Sequence, residues 1–183
     1  MDEKALLKAI WKLEQDALTT AFEQYAPLVY KYALRTCHSA LEADDVVGEV
    51  FSRLVDGLSN GRGPRENLRA YLYQTAYHII IDNSRNRKHF VERDETFQIK
   101  LSEDSVEEDA EKQHDLRTLQ ESIYRDLTEE QRHVIILRFF EGFDLRQTAA
   151  ILGKEINNIK VIQNRAITKL RESLAKVPAE TDT

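Results

Sequence analysis

Apolar residues recur at every third or fourth position along most of the chain, the spacing that places them on one face of an α-helix. Before the last third, the stretches that show this spacing are 3–37, 42–58, 68–88 and 114–125. Pro27 interrupts the first stretch and predicts a kink or a helix start near Ala26, because proline lacks the N–H that a helix needs. The pattern predicts an all-α protein.

The last third of the chain, residues 127–174, carries three short helical patterns separated by two tight breaks. Thr128 and Asp144 each stand three residues before a glutamine, so each predicts a capping box at a helix start. Gly153 suits the left-handed conformation in which many helices end. The third pattern begins near Ile156, after about three residues, which is the loop length of a helix-turn-helix.

The final helical pattern separates an apolar face from a polar one. Its apolar positions are Ile156, Ile159, Ile162, Ala166, Leu170 and Leu174. Its outward positions are Asn157, Asn158, Lys160, Val161, Asn164, Arg165 and Thr168. Asparagine and lysine at the start of such a helix can reach base edges and phosphates, so the outward positions are candidate DNA contacts. An ordinary amphipathic helix with a solvated polar face is the alternative.

Residues 42–58 predict a strongly amphipathic helix. The positions expected to be buried are Val46, Val47, Val50, Phe51, Leu54 and Leu58. Asp45, Glu49, Ser52 and Asp56 are three or four residues apart and share the opposite face. A solvated surface is the simplest interpretation of such an acidic face.

Residues 59–88 combine a turn-rich break with a long helix that Asn67 can cap. The spacing predicts that Leu68, Tyr71, Leu72, Thr75, Ala76, Ile79 and Ile80 face the core. The helix also carries Tyr73, Tyr77, His78, Arg85, Arg87 and Lys88. Aromatic rings interleaved with cations suit single-stranded nucleic acid, because bases stack on rings while phosphates meet the charges. The alternative is that the tyrosines are core residues, which we favour for Tyr71.

Charge is unevenly distributed along the chain. The total is −6, but residues 61–93 hold seven basic against three acidic side chains, and residues 131–176 hold nine against four. Residues 94–130 hold thirteen acidic against four basic side chains. Two basic modules therefore flank an acidic middle, and local patches decide where phosphate binds. Low apolar content predicts a flexible acidic linker over residues 91–115 and a disordered tail over 177–183.

Several function classes lack support in the sequence. The one cysteine, Cys37, excludes an internal disulfide and a multi-cysteine zinc site, and is expected to be buried. His78 and Asp82 have metal-ligand spacing but no evident third ligand. There is no nucleophile–base set, Gly-rich phosphate loop, signal peptide or apolar run of about 20 residues. We expect a cytoplasmic protein that is not an enzyme and has no cofactor.

Two segments carry a resemblance to a known family. In the last third the matching residues are Leu127, Gln131, Arg132, Leu137, Arg138, Phe139, Glu141, Gly142, Ala149, Ile151, Leu152, Gly153, Ile159, Lys160, Arg165, Ala166, Leu170 and Arg171. Earlier they are Asp45, Glu49, Phe51, Arg69, Ala70, Leu72, Tyr73, Ala76, Asp82 and Arg85. They resemble the fourth and second conserved regions of bacterial sigma factors, most closely the extracytoplasmic-function class. Gly48, Tyr71, His78 and Lys154 depart from the pattern, and Ile156 is expected to supply the packing that Lys154 cannot.

The resemblance implies an alternative sigma factor with a region-2-like domain over residues 1–90 and a region-4-like domain over 116–176. Asp45, Glu49, Ser52 and Asp56 would dock on the clamp of the largest subunit of core RNA polymerase. The fourth region would meet the flap of the second subunit and, through the outward positions of the last helix, the minus-thirty-five element. The loop 59–67, with Asn60, Arg62 and Arg65, and the helix after it would open and bind the minus-ten element. An anti-sigma factor is a further implied partner.

Two other functions remain open at this point. A stand-alone helix-turn-helix regulator would leave the acidic helix unexplained and would be expected to form a dimer on a palindrome. A sigma mimic that sequesters an anti-sigma factor would not need the basic residues of the last helix.

Overall fold

A computed structural model describes residues 2–88 and 110–176, with no side-chain account of residues 87–88 and 110–114. The described residues are helical and contain no strand, which confirms the all-α prediction. The helices are α1 (Glu3–Trp11), α2 (Gln15–Cys37), α3 (Ala40–Ser59), α4 (Leu68–Lys88), α5 (Ala110–Asp126), α6 (Glu129–Ile135), α7 (Leu145–Leu152) and α8 (Ile156–Leu174).

The first module, α1 to α4, differs from the prediction at its start. The single helix expected over residues 3–37 is broken between Trp11 and Gln15, where Leu13 has a left-handed backbone with φ 57°. Pro27 does not start or end a helix and lies inside α2. It is exposed, so the carbonyl group that loses its N–H partner can bond to water instead.

The second module, α5 to α8, begins earlier than the linker prediction allowed. Helix α5 starts at Ala110 and so takes in the last six residues of the stretch 91–115 that low apolar content had marked as linker. The first residues of α5 are alanine, glutamate, lysine and glutamine, which are polar or small but form helices well. Low apolar content therefore placed the end of the linker too far along the chain. The rest of the predicted linker, 91–109, and the tail 177–183 lie outside the described residues.

The helix-turn-helix forms as predicted from α7 and α8. The side chains of Thr128 and Asp144 accept hydrogen bonds from the third residue of their helices, and both capping boxes are complete. Gly153 ends α7 with φ 63°, a left-handed conformation that suits glycine. Helix α8 begins at Ile156 as expected.

Helix α6 continues into a π-helical turn over Ile136–Phe140, which the apolar spacing did not predict. The Glu141 N–H donates to the carbonyl oxygen of Ile136, five residues earlier, at 3.0 Å. The wider helical turn directs Glu141 inward, so that this residue is only 8% exposed. Phe139, two residues earlier, is 57% exposed.

The two modules share one hydrophobic core. Buried residues of α1 to α4 are continuous with Val134, Ile136, Leu137, Phe143 and Ile159 of the second module. A smaller cluster, Ile123, Leu127, Ile135, Ala166 and Leu170, joins α5 to α6 and α8. Helices α2 and α4 therefore pack against the other helices of their own module and also against the second module.

Candidate nucleic-acid interface

The acidic face of α3 is exposed as the sequence predicted. Asp45, Glu49, Ser52 and Asp56 all reach solvent. Glu49 accepts a hydrogen bond from Arg53 Nε at 2.7 Å, which partly neutralises the face at its centre. On the opposite side of the helix Val46, Val50, Leu54 and Leu58 are buried, whereas Val47 and Phe51 are only half-buried.

An apolar patch borders this acidic face, which the sequence reasoning had missed. The rings of Phe22 and Phe51 meet edge to face, with centroids 4.9 Å apart. Phe22 is 48% exposed, and Leu41 and Val55 of α3 are also exposed. Exposed apolar side chains beside a charged face are typical of a protein-binding surface. The spacing had suggested that Phe51 is a core residue.

The turn-rich loop between α3 and α4 is closed by contacts from α1. Trp11 Nε1 donates a hydrogen bond to the Pro64 carbonyl oxygen at 2.6 Å. Near it, the Leu68 N–H donates to Glu3 Oε1 at 3.1 Å. Sequence reasoning assigned no role to α1, because these contacts join residues more than 50 positions apart and leave no local pattern.

The three loop residues predicted to contact the minus-ten element reach solvent. Asn60, Arg62 and Arg65 are all exposed. The Asn60 side-chain amide donates to the Asp56 carbonyl oxygen at 2.8 Å, and the Arg62 N–H donates to the Gly57 carbonyl oxygen at 2.7 Å. The loop therefore holds both arginine side chains outward on an ordered backbone.

Helix α4 divides its candidate residues between solvent and the second module. His78 and Arg85 are exposed, and Arg87 and Lys88 lie on the last turn, with no account of their side chains. Tyr77 is half-buried against His133, with ring centroids 4.9 Å apart. Tyr73 is fully buried. In this arrangement the Tyr73 ring cannot stack on a base, contrary to the prediction, because Tyr32 of α2 and Phe143 of the second module both pack against it.

The outward face of α8 is free along its length. All seven predicted contacts, Asn157, Asn158, Lys160, Val161, Asn164, Arg165 and Thr168, are exposed. Ile159, Ala166 and Leu170 are buried beneath them, but Ile156 is 37% exposed and does not supply the packing expected of it. Lys154 instead forms an ion pair with Glu130, which ties the turn before α8 to α6.

Glu141 is the centre of a buried polar cluster between the modules. Its Oε1 accepts from Arg35 Nη1 at 2.9 Å, and its Oε2 accepts from the Tyr73 hydroxyl at 2.5 Å. Arg69 Nη2 donates to the Glu141 backbone carbonyl at 2.5 Å. The Arg69 guanidinium also lies 4.3 Å from the ring centroid of Phe143. Burial, reinforced by the Glu141 carboxylate, raises the pKa of Tyr73, so this hydroxyl keeps the proton that it donates.

A second buried contact joins the modules beside this cluster. The Tyr32 hydroxyl lies 2.7 Å from His133 Nδ1, and both side chains are fully buried. Burial, together with the nearby Arg132 charge, lowers the pKa of His133 to about 3. His133 is therefore neutral at physiological pH and acts as a hydrogen-bonding core residue.

Comparison with known proteins decides the family. Residues 21–90 match Sigma-70 region 2, and residues 125–172 match Sigma-70, region 4. RNA polymerase sigma factor SigV of Bacillus subtilis is 31% identical over 161 residues, which cover 87% of this chain and 92% of SigV. ECF RNA polymerase sigma factor SigD of Mycobacterium tuberculosis is 28% identical over 169 residues, covering 88% of this chain and 78% of SigD. The chain belongs to the sigma-70 family of RNA polymerase sigma factors.

Solved structures, one of them of a sigma factor, share its fold. CnrH in complex with the cytosolic domain of CnrY aligns with a TM-score of 0.72 at 19% identity, over 96% of this chain and 99% of that one. RpoE in complex with the anti-sigma factor NepR from Bartonella quintana aligns with a TM-score of 0.69 at 21% identity, over 87% of this chain and 98% of that one. The sigma factor described here is of the extracytoplasmic-function class, as its curated relatives are.

The match to region 2 does not include the first helix. Region 2 is matched from residue 21 onward, so α1 with Trp11 lies before it.

Within residues 2–88 and 110–176 no helix is both long and apolar enough to cross a membrane. The same residues contain no cluster of three potential metal ligands, so His78 and Asp82 gain no third partner there.

Proposed function

We propose that this sigma factor binds core RNA polymerase through the acidic face of α3 and directs initiation at its own set of promoters. The observation that carries the proposal is the exposure of Asp45, Glu49, Ser52 and Asp56 as one face of a helix within region 2. The exposed Phe22, Leu41 and Val55 border that face. A row of carboxylates beside apolar side chains is complementary to a basic, partly apolar surface. In this proposal the clamp helices of the polymerase provide that surface.

The two DNA-binding roles fall on different modules. In region 4 the outward face of α8 would enter the major groove of the minus-thirty-five element, where Asn157, Asn158 and Lys160 can reach base edges or phosphates. In region 2 the loop with Asn60, Arg62 and Arg65 would hold the opened minus-ten strand, together with His78 and Arg85 of α4. Flipping one base out of the stack costs a few kcal/mol, and contacts with the loop must offset that cost. A loop of fixed shape can provide such contacts.

We also propose an anti-sigma factor as a partner. The related folds of CnrH and RpoE were solved with CnrY and NepR bound. An inhibitor of this kind would compete with polymerase, so adding it to the transcription assay below should suppress the new transcripts. Excess core polymerase should restore them.

The decisive test is transcription from fragmented genomic DNA by bacterial core polymerase, with and without this protein. Discrete new transcripts should appear, and Asp45→Arg should abolish them while leaving the helical circular dichroism unchanged. The matched control is Asp115→Arg, an equal charge reversal at an exposed position of α5, which should leave them intact. Transcripts that survive Asp45→Arg would contradict the docking role of α3. DNA binding without transcripts would favour a stand-alone regulator, and neither activity would favour a mimic.

A further inference from the structure

We propose that α1 is a positioning element for recognition of the minus-ten element, with Trp11 and Glu3 as the two side chains that fix the loop 59–67 and the start of α4. The inference rests on the proposed function, because it deepens the role assigned to that loop. Helix α1 lies before the residues that match region 2, and the proposed function gives it no contact with polymerase or DNA.

The Trp11 indole joins α1 to the second half of the loop. Its Nε1 donates a hydrogen bond to the Pro64 carbonyl oxygen at 2.6 Å. A Cβ at Gly63 would lie 3.3 Å from Cζ2 of the same ring, so the loop backbone lies directly on the indole. Trp11 is half-buried and packs against the core of region 2. The backbone at Gly63 and Pro64 is therefore supported by a side chain that the core itself holds in place.

Glu3 holds the end of the loop, where α4 begins. Its Oε1 accepts a hydrogen bond from the Leu68 N–H at 3.1 Å, one of the N–H groups that have no partner within a helix. The Asn67 side chain accepts from the Ala70 N–H at 2.9 Å, and Asn67 has a left-handed backbone with φ 48°. Glu3 therefore places a carboxylate at the positive end of the α4 dipole and stabilises an uncommon backbone conformation beside it.

The first half of the loop is fixed by the two helices that the loop connects. The Arg62 N–H donates to the Gly57 carbonyl oxygen at 2.7 Å, and the Gly61 N–H donates to the Leu58 carbonyl oxygen at 3.1 Å. A Cβ at Gly57 would lie 3.3 Å from the Tyr71 hydroxyl oxygen, so α4 packs closely on the end of α3 beneath the loop. These contacts do not extend to the second half.

The contact from Trp11 falls on the half of the loop that α3 does not bind by hydrogen bonds. Among the residues that the structure describes, Trp11 makes the one hydrogen bond that joins the segment 63–66 to another element. Arg65, a candidate contact with the minus-ten strand, directly follows the bonded Pro64 and is exposed. Without the bond, this arginine would be attached only through the backbone on either side. Trp11 therefore sets the direction in which Arg65 leaves the protein surface.

A fixed loop matters for the proposed capture of a flipped base. A base that leaves the stack gives up stacking and pairing energy, and a loop that must also become ordered on binding gives up conformational entropy in addition. A loop that is already held in one shape avoids the second cost. Loss of one ordinary hydrogen bond changes an equilibrium roughly 2- to 10-fold. Removing the Trp11 bond should therefore weaken capture of the strand by about that factor.

Paired variants separate the hydrogen bonds from the packing. Trp11→Phe keeps an aromatic ring against the core but removes the N–H, and Glu3→Ala removes the carboxylate. Glu3→Gln retains an acceptor oxygen and should behave as the wild type, as should Thr20→Val, which removes a hydroxyl hydrogen bond within α2. Hydrogen exchange of the full-length protein, measured by mass spectrometry, should be roughly 2- to 10-fold faster in peptides covering residues 59–68 of Trp11→Phe and Glu3→Ala. It should be unchanged there in both controls.

The functional readout is discrimination among bases by the holoenzyme, formed from core polymerase and this protein. The probe is a single-stranded oligonucleotide with the non-template minus-ten sequence found upstream of the mapped transcript starts, together with versions in which one base is replaced. Trp11→Phe should reduce the ratio of affinities at the captured base roughly 2- to 10-fold. Its affinity for a minus-thirty-five duplex should stay at the wild-type value, whereas a variant with a generally weakened fold would lose both.

Faster exchange in the loop, together with the predicted loss of discrimination in Trp11→Phe, supports the inference. Faster exchange with wild-type discrimination would make α1 a structural support only and would overturn it. Unchanged exchange over residues 59–68 would overturn it as well, because neither side chain would then fix the loop. If the wild type itself gives no transcripts, the proposed function has failed and the inference fails with it, an outcome that the transcription assay separates from a failure of α1 alone.

Discussion

Trp11 donates its indole N–H to the carbonyl oxygen of Pro64 at 2.6 Å, across 53 positions of sequence. The bond fastens the first helix to the loop that precedes α4. The proposed function assigns this loop to the opened minus-ten strand. Helix α1, which lies before the matched region, therefore acts as a strap on a loop that we propose to bind DNA.

Substituting Gly63 should disturb this strap. A Cβ at Gly63 would lie 2.5 Å from Leu58 Cδ2 and 3.3 Å from Trp11 Cζ2, so Gly63→Ala should lower the free energy of unfolding by about 1–3 kcal/mol, as overpacking does. Trp11 is the only tryptophan, and its fluorescence should shift accordingly. The matched control is Gly48→Ala in α3, where a Cβ meets nothing within 4 Å. There the helix should gain about 0.5–1 kcal/mol. Equal stabilities of the two variants would contradict the strap.

Removing cations from α8 should change the salt dependence of DNA binding. Lys160→Ala and Arg165→Ala each remove an exposed charge from the outward face. Each should reduce the slope of log affinity against log salt by about 0.9 if the side chain meets a phosphate. Fluorescence anisotropy with a labelled duplex measures the slope. Lys31→Ala, which removes an exposed cation from α2, should leave it unchanged. A slope that is insensitive to Lys160 and Arg165 would remove both from the interface.

The capping box of α7 should contribute to the stability of region 4. Asp144 accepts a hydrogen bond from the Gln147 N–H at 2.7 Å, and Gln147 Oε1 accepts from the Asp144 N–H at 2.9 Å. Asp144→Ala should therefore cost about 1 kcal/mol, measured by urea unfolding. Asp144→Asn, which keeps an acceptor, should cost less. An Asp144→Ala variant as stable as Asp115→Ala would show that the cap contributes nothing.

Stability should fall as the pH drops below the ordinary pKa of histidine. The folded-state pKa of His133 is lowered by burial to about 3, against an ordinary value of 6.5. Above pH 6.5 both states are neutral and the stability is complete. Between 6.5 and 3 only the unfolded state takes the proton, so the free energy of unfolding decreases by up to about 1.4 kcal/mol per pH unit. His38, whose pKa is lowered by partial burial, contributes in the same direction.

Comparing variants between pH 7.5 and 5.5 isolates the contribution of His133, because most carboxylates remain charged there. His133→Gln keeps a hydrogen-bond acceptor for Tyr32 and should flatten the pH dependence of the unfolding midpoint. His78→Gln, at an exposed position of α4, should retain it. A pH profile of His133→Gln that equals that of the wild type would refute the assignment.

The sequence predicted those parts of the fold that depend on interactions between residues close together in the chain. The two capping boxes, the left-handed Gly153 and the alternation of faces along α8 each involve residues within four positions of one another. The same spacing predicted the exposed acidic face of α3. Ile156 was the exception on α8, because it is 37% exposed on the first turn, whereas Ile159 is fully buried.

The features that the sequence did not predict depend on contacts between distant residues. Trp11 and Pro64 are 53 positions apart, and Tyr73 and Glu141 are 68 apart. Tyr73 was interpreted as a DNA contact because aromatic rings alternate with basic side chains along α4. Its burial follows from packing against both α2 and the second module, which the pattern within one helix does not show. The break before Gln15 was missed because the apolar spacing continues almost without interruption across it.

The π-helical turn of Ile136–Phe140 has a consequence for how this lineage can diverge. The wide turn accommodates one residue more than an α-helical turn would, and so keeps Glu141 directed toward Arg35 and Tyr73. Deleting a single codon in the turn would restore regular helix and would keep the Glu141 N–H above the Ile136 carbonyl oxygen, now as an ordinary α-helical bond. A paralogue could thus lose the π turn through one small deletion and still direct its glutamate toward Arg35 and Tyr73.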